Sequence, residues 1–301
     1  MKSTIYTMAG EKGKSIDLPK QFSEEIRPDL IKQAVLVIQS RKRQKYGTDP
    51  RAGIEYSAKL SRRRRAYRGG YGKSMSRIPR KVMLRRGTQF IYTGAVVSGT
   101  VGGRRAHPPK GKKIFAKSLN KKERQKAIRS AIAATIDKKY LENKGIINTN
   151  NLPLIIEKLE DVNKTKEVKE LLSKLDLSKD IERSNTKKIR PGKGTMRGRK
   201  YRKPKGPLIV VSNNTSKMYK AGRNLPGFEV TDVSSLNAEL LAPGAEPGRL
   251  VIWSLESIEK LDKENLFYSK NGSIQNNKIS ASNWKGSPDD GNRKQVSINR
   301  R

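Results

Sequence analysis

The chain has no cysteine and a single histidine, His107, in 301 residues. No disulfide, thiolate nucleophile or cysteine-based redox switch can be built from it. Zinc sites draw on Cys and His, so this scarcity argues against one. Aromatic residues make up 6% of the chain and hydrophobic residues 34%, a small core for this length. Part of the chain must therefore lie outside the core, too polar to offset its own ordering entropy. No apolar run approaches the roughly 20 residues of a membrane span. The start, Met1-Lys2-Ser3-Thr4-Ile5-Tyr6, lacks the apolar core of a signal peptide. Acidic residues are the other shortage, with 28 Asp+Glu against 67 Lys+Arg and a formal net charge of +39.

That charge is unevenly placed. Residues 41–117 hold 23 Lys/Arg and two acids, Asp49 and Glu55. Residues 187–206 hold ten Lys/Arg and no acid, which leaves only +8 on the rest of the chain. A nearly balanced body with two basic inserts points to a polyanionic partner that the inserts reach, and nucleic acid is the first candidate.

The body reads as α/β. Ile5 to Met8 and Ser15 to Leu18 flank Gly10 and Gly13 as a hairpin. Pro28 opens a helix whose inner stripe is Ile31, Ala34, Val35 and Ile38, and which ends in Arg41-Lys42-Arg43. From Tyr46 to about Ser118 periodicity stops, and the stretch reads as an arm without regular structure. Asn120 with Glu123 forms a capping box for a helix bearing Ile128, Ala131, Ile132 and Thr135. Leu152–Ile156, Leu208–Val211, Phe228–Val230 and Leu250–Trp253 read as strands, the second and fourth buried on both faces. Helices are expected around Val168 to Leu175, over 215–221, around Leu236 to Leu241 with Ser234 or Ser235 as cap, and from Ser254 to about Leu261. Strands alternating with helices predict a mostly parallel sheet with flanking helices. From about Leu266 the sequence turns to Asn, Ser, Gly and Lys and predicts a disordered tail, with Trp284 its only large aromatic.

Two phosphate-loop matches fail on inspection. Gly72-Lys73-Ser74 would need a glycine at position 67, which is Tyr67, and no buried strand precedes it. Gly192-Lys193-Gly194 meets Arg197 where a dinucleotide fingerprint needs its third glycine. In the arm, Arg62-Arg63-Arg64-Arg65 stands close to Tyr67, Arg68, Gly69, Gly70, Tyr71 and Gly72. Arginine forks grip phosphates and Arg or Tyr planes stack on unpaired bases. A charge run is most often a solvated surface, but this one is internal and interleaved with glycine and tyrosine. His107, in Arg104-Arg105-Ala106-His107-Pro108-Pro109-Lys110, has no nucleophile beside it and reads as a turn residue next to RNA. The second insert runs Lys187-Lys188-Ile189-Arg190-Pro191-Gly192-Lys193-Gly194, then Met196-Arg197-Gly198-Arg199-Lys200-Tyr201-Arg202-Lys203. Such a run repels itself unless an anion neutralises it. No acid–base constellation supports catalysis, so no enzyme activity and no cofactor or metal is expected.

Several long motifs occur in a familiar order. They are Gly102 to Lys110, Asn120 to Arg124, Ile128 to Thr135, Met196 to Leu208, Leu236 to Gly244 and Pro247-Gly248-Arg249-Leu250. Together, over residues 1 to about 265, they resemble the universal large-subunit ribosomal protein four family, of the archaeal type close to the eukaryotic one. The resemblance implies a body of residues 1–45 and 118–265, an arm of 46–117, a second RNA-binding loop of 187–206 and a tail of 266–301. It implies a cytoplasmic, structural constituent of the large ribosomal subunit, with no membrane and no second copy of the chain as partner. Its partners would be large-subunit rRNA, neighbouring proteins including universal large-subunit protein twenty-two, and the nascent polypeptide. The rRNA-binding residues would be Arg41 and Arg43 just before the arm, and Arg62, Arg63, Arg64, Arg65, Arg68, Lys73, Arg77, Arg80, Arg85, Arg86, Arg104, Arg105, His107 and Lys110 from the arm. From the second loop they would be Lys187, Lys188, Arg190, Lys193, Arg197, Arg199, Lys200, Tyr201, Arg202 and Lys203. The arm tip, Gly70, Tyr71, Gly72 and Lys73, would line the constriction of the peptide exit tunnel. The competing reading is a free nucleic-acid-binding protein or RNA chaperone; an RNA-processing enzyme would need a catalytic cluster that is not there.

Overall fold

A computed structural model describes residues 1–144 and 152–268. The expected tail lies, from residue 269 on, outside the described residues.

Strands β1 (Lys2–Tyr6) and β2 (Lys12–Asp17) pair antiparallel. Helix α1 (Pro28–Lys42) follows, with Pro28 in its first turn. After residues 43–120, helices α2 (Lys121–Ala133) and α3 (Lys138–Glu142) lead to β5 (Leu154–Ile156), strands β3 and β4 falling within the intervening segment. Helices α4 (Thr165–Lys174) and α5 (Ser178–Asn185) precede the second basic insert. Then come β8 (Leu208–Val211), α6 (Lys217–Arg223), β9 (Glu229–Asp232), α7 (Ala238–Leu241), β10 (Val251–Ser254) and α8 (Leu255–Lys263). The main sheet has six strands in the order β2-β1-β5-β10-β8-β9. Every neighbouring pair except β1 with β2 is parallel, the mostly parallel sheet with flanking helices that the alternating pattern predicts.

Side-chain alternation along the strands divides the core into two layers. Ile5, Ile155, Leu208, Val210, Val251 and Trp253 face one layer with α1, α2, α7 and α8. Tyr6, Leu154, Ile156, Ile209, Val211 and Ile252 face the other with α4 and α6. Trp253, fully buried, meets Phe22 edge-on with ring centroids 5.2 Å apart. The inner stripe of α1 is Ile31, Ala34, Val35 and Val37, while Ile38 is only half-buried. Helix α7 is capped by Asn237, whose Oδ1 accepts the Leu240 N–H at 2.9 Å, rather than by Ser234 or Ser235. Those serines sit in a preceding 3-10 turn, Val233–Ser235, capped by Asp232. Leu266 and Phe267 pack against the Trp253 layer, and Gln21 donates to the Leu266 carbonyl.

Neither core layer takes a residue from 46–117. That stretch is not without regular structure, however. It holds a hairpin of β3 (Arg80–Arg86) and β4 (Gln89–Gly94), joined through Gly87 at φ +54°. A register shift between Val82 and Leu84 breaks the two-residue alternation of β3, which hides the strand in the sequence. The second insert likewise closes a short hairpin, β6 (Lys188–Ile189) with β7 (Tyr201–Arg202).

Candidate nucleic-acid interface

The arm is two legs held side by side. At its base Tyr46 stacks on Phe115, ring centroids 5.4 Å apart, and the Arg43 guanidinium lies 4.5 Å from the Phe115 centroid. The Lys117 N–H donates to Ser40 Oγ at 2.9 Å and the Thr48 N–H to the Pro109 carbonyl at 3.0 Å. Gly47 faces Gly111 so closely that a side chain at 47 would run into the opposite backbone. Farther out, the Arg80 N–H donates to the Lys59 carbonyl and the Ala95 N–H to the Pro79 carbonyl, which ties the hairpin to both legs.

Residues 61–79 fold over the hairpin as a tip. Alternation along β4 turns Phe90 and Tyr92 toward this loop and leaves Gln89, Ile91 and Thr93 outward. Tyr67 meets Phe90 edge-on at 5.4 Å, and Tyr92 Oη donates to the Gly69 carbonyl at 3.4 Å. Arg68 lies over the Tyr67 ring at 5.5 Å, Lys73 over Tyr92 at 5.7 Å and Arg77 over Tyr71 at 5.4 Å. Gly70, Tyr71, Gly72, Arg64 and Arg77 share the lining of one small cavity. The tip therefore keeps its shape by aromatic and cation–π contacts, while the charged ends stay in solvent.

All the cations that the sequence nominates are exposed, apart from the half-buried Arg80. Arg62 to Arg65 lie on the tip loop, and Arg85 and Arg86 on β3. Arg105, His107 and Lys110 line a surface cavity beside Tyr46 and Phe115, with His107 exposed. In the second insert Lys187 and Lys200 flank the Tyr201 ring at 5.9 and 5.6 Å. Among the described residues, the ion pairs that involve 41–117 or 187–206 are Lys42 with Glu239 and Lys205 with Glu229, each at the root of its segment. The other cations of both segments stand without a carboxylate partner among the described residues.

Those roots meet at a cavity of about 450 Å³, lined by Lys42, Lys144, Arg183, the run from Arg202 to Pro207, Glu229, Glu239 and Arg249. Sequence reasoning nominated Arg202 and Lys203 here but missed Lys42, Lys144, Arg183, Lys205 and Arg249. Arg249 is 4% exposed. Its Nε donates to the Gly206 carbonyl at 2.9 Å, and its Nη1 to Glu229 Oε2 and the Leu240 carbonyl, both at 2.7 Å. Burial alone would raise the Glu229 carboxyl, but its bonds to Lys205 and Arg249 outweigh that and hold it below its ordinary value. Gly248, at φ +104°, sits against the Tyr140 carbonyl and allows the turn that delivers Arg249. The signal in the sequence was a lone arginine, after Pro247-Gly248, at the entry to a buried strand.

Parallel α/β sheets bind ligands beyond the carboxyl ends of their strands. Here that edge is closed by the chain itself. Glu160 accepts the Ser212 N–H at 2.6 Å, Ser212 Oγ at 2.7 Å and Ser254 Oγ at 2.6 Å, at the ends of β8 and β10. Burial and the neighbouring Glu160 charge push Glu256 up, while hydrogen bonds from Ser254 and Ser212 overcome burial and keep Glu160 down. Among the described residues no group of three His, Cys, Asp or Glu could hold a metal, and no helix is long and apolar enough to cross a membrane.

Comparison with known proteins gives a consistent result. The profile of the Ribosomal protein L4/L1 family matches residues 16–264. The large ribosomal subunit protein uL4 of Nanoarchaeum equitans is 45% identical over 268 residues, which span 89% of this chain and 100% of that protein. Its counterpart in Methanocaldococcus jannaschii is 44% identical over 265 residues, 87% of this chain and 98% of that protein. That of Archaeoglobus fulgidus is 41% identical over 263 residues, 87% and 98% of the two chains.

Proposed function

Because this chain belongs to the ribosomal protein L4/L1 family, we propose that its two basic segments bind large-subunit rRNA and stabilise its fold during assembly. As a family member it is a structural, non-enzymatic constituent of the large ribosomal subunit and works in the cytoplasm. The body, 1–45 and 118–265, carries the arm of 46–117 and the loop of 187–206. The arm tip, Gly70 to Lys73, lines the constriction of the peptide exit tunnel, opposite the arm of universal large-subunit protein twenty-two and facing the nascent polypeptide.

One observation carries the reading. Among the described residues the exposed cations of both segments have no carboxylate partner, whereas Lys42 and Lys205 at the segment roots do. Phosphates supply the missing charge, and each contact releases counterions. Contacts are to phosphate and sugar in the main, with Tyr67, Tyr71 and Tyr201 offering faces for unpaired bases.

Sedimentation of a cell lysate through a high-salt gradient tests this. The protein is expected to travel with the large subunit and to leave it only after RNase treatment or unfolding. Release into the light fractions by salt alone would overturn the integrated arm and favour a free RNA chaperone.

A further inference from the structure

We propose that the cavity where the two basic segments meet the body is a phosphate socket, which takes one backbone phosphate of RNA and ties the root of the arm to the root of the second loop. The proposal rests on the rRNA-binding reading and adds to it a site at the segment roots, where Lys42, Lys144, Arg183 and Arg249 join Arg202 and Lys203 of the second loop.

The lining holds seven cations against two carboxylates, Glu229 and Glu239. The carboxylates are already engaged, Glu239 by Lys42 and Glu229 by Lys205 and Arg249. Lys144 and Arg183 pair with Glu246 and Asp180 outside the lining, which leaves Arg202 and Lys203 without a carboxylate partner among the described residues and the cavity with a positive excess. Like charges gathered around a concave space call for an anion between them.

The second observation is independent of that excess. Arg249 is a fixed, buried cation on the cavity wall, and its Nη2 is the one guanidinium nitrogen without a hydrogen-bond partner. A guanidinium carries five N–H donors, and a buried one left unmet signals a missing acceptor. An acceptor with several oxygens and negative charge suits this fork better than a neutral one.

Placement gives the socket its consequence. Lys42 is the last residue of α1 before the arm, and Arg202 to Lys205 end the second loop. These roots, some 160 residues apart in sequence, share one lining. A phosphate there meets both, so that docking of one segment favours docking of the other.

The test measures binding of the full chain to large-subunit rRNA across a salt series. Three variants are compared with the natural chain: Arg249→Lys, the pair Lys42→Gln with Lys144→Gln, and Lys263→Gln as a control outside the cavity lining. A phosphate contact contributes about 0.7 to 0.9 to the slope of log affinity against log salt. The lysine pair is expected to flatten the slope by about one contact, whereas Arg249→Lys keeps its charge and its slope; both are expected to lose about threefold to tenfold in affinity at low salt. The control should keep both values, and thermal melting should show each variant folded. A parallel arm adds inorganic pyrophosphate to the free protein and follows its melting temperature. Stabilisation of the natural chain but not of the cavity variants would reassign the socket to a free phosphate compound and overturn the RNA assignment. An unchanged slope in the lysine pair together with unchanged affinity in Arg249→Lys, with no effect of pyrophosphate, would overturn the socket while leaving rRNA binding intact. Absence of any salt-dependent binding by the natural chain would instead defeat the rRNA reading itself.

Discussion

In the layered body, Arg129 donates to Glu24 at 2.9 Å and to the Phe267 carbonyl at 2.7 Å, and Arg249 is held between Glu229 and two carbonyls. On the arm tip, Arg62 to Arg65 stand in solvent and form no ion pair among the described residues. The same side chain does two different jobs. Inside the body an arginine closes hydrogen bonds that burial would otherwise leave open. On the arm its positive end meets no carboxylate among the described residues. The apolar residues divide in the same way. The body spends them on two layers around one sheet, whereas the arm uses Tyr46, Phe115, Tyr67, Phe90 and Tyr92 as local clips between its own legs. The body's stability should therefore be independent of the tip, and the tip's role should be independent of the core.

The sharpest way to break this comparison is to damage each side in turn. Trp253→Ala empties the centre of one layer and should cost about 3 to 5 kcal/mol of unfolding free energy, read by urea denaturation. Excision of residues 61–79 with a Gly-Gly join should leave the body's urea midpoint unchanged while rRNA affinity falls. A matching loss of stability after the excision would show that the arm belongs to the core. Next in size, Gly248→Ala forces a side chain into the left-handed region and against the Tyr140 carbonyl. Strain of this kind costs about 1 to 3 kcal/mol, and the same measurement checks it. A smaller effect is carried by Glu229. Its carboxyl is held below the ordinary value near 4.5, so its contribution is complete above that pH and is lost as pH falls through the lowered folded value. Urea midpoints taken from pH 6 down to about pH 3 should drop less steeply in Glu229→Gln than in the natural chain. Smallest of all is Lys263→Gln, which removes an exposed pair with Glu259 and should change stability by about 0.5 kcal/mol or less.

Much of the body was legible in the sequence because its elements have a simple period. Leu208-Ile209-Val210-Val211 is buried on both faces, and the stripe of α2 shows Ile128, Ala131 and Ile132 at helical spacing. The basic inserts were legible from charge alone. Hidden features were those set by contacts between distant segments. The β3–β4 hairpin escaped notice because its bulge and its solvent-facing Val82, Met83 and Leu84 follow no alternation. Helices α3 and α5, five and eight residues long, were not read from the sequence, although α7 of four residues was. The cavity at the roots could not be read, since Lys42, Lys144, Arg183 and Arg249 come together only when α1, α3, α5 and β10 pack. Arg249 carried a faint mark as a charge before a buried strand, but its partner Gly206 lies 43 residues away.

Limited trypsin digestion, compared between the free protein and the intact large subunit, tests the division of labour most directly. Trypsin cuts after Lys and Arg, the residues that fill both basic segments. In the free protein, cuts are predicted first within 61–79 and 187–203, with the core layers surviving as a noncovalent body that melts as one unit. In the subunit the same sites should resist digestion until the RNA is removed. Equal cleavage of these sites in both states, or collapse of the body at the first cut, would contradict the account.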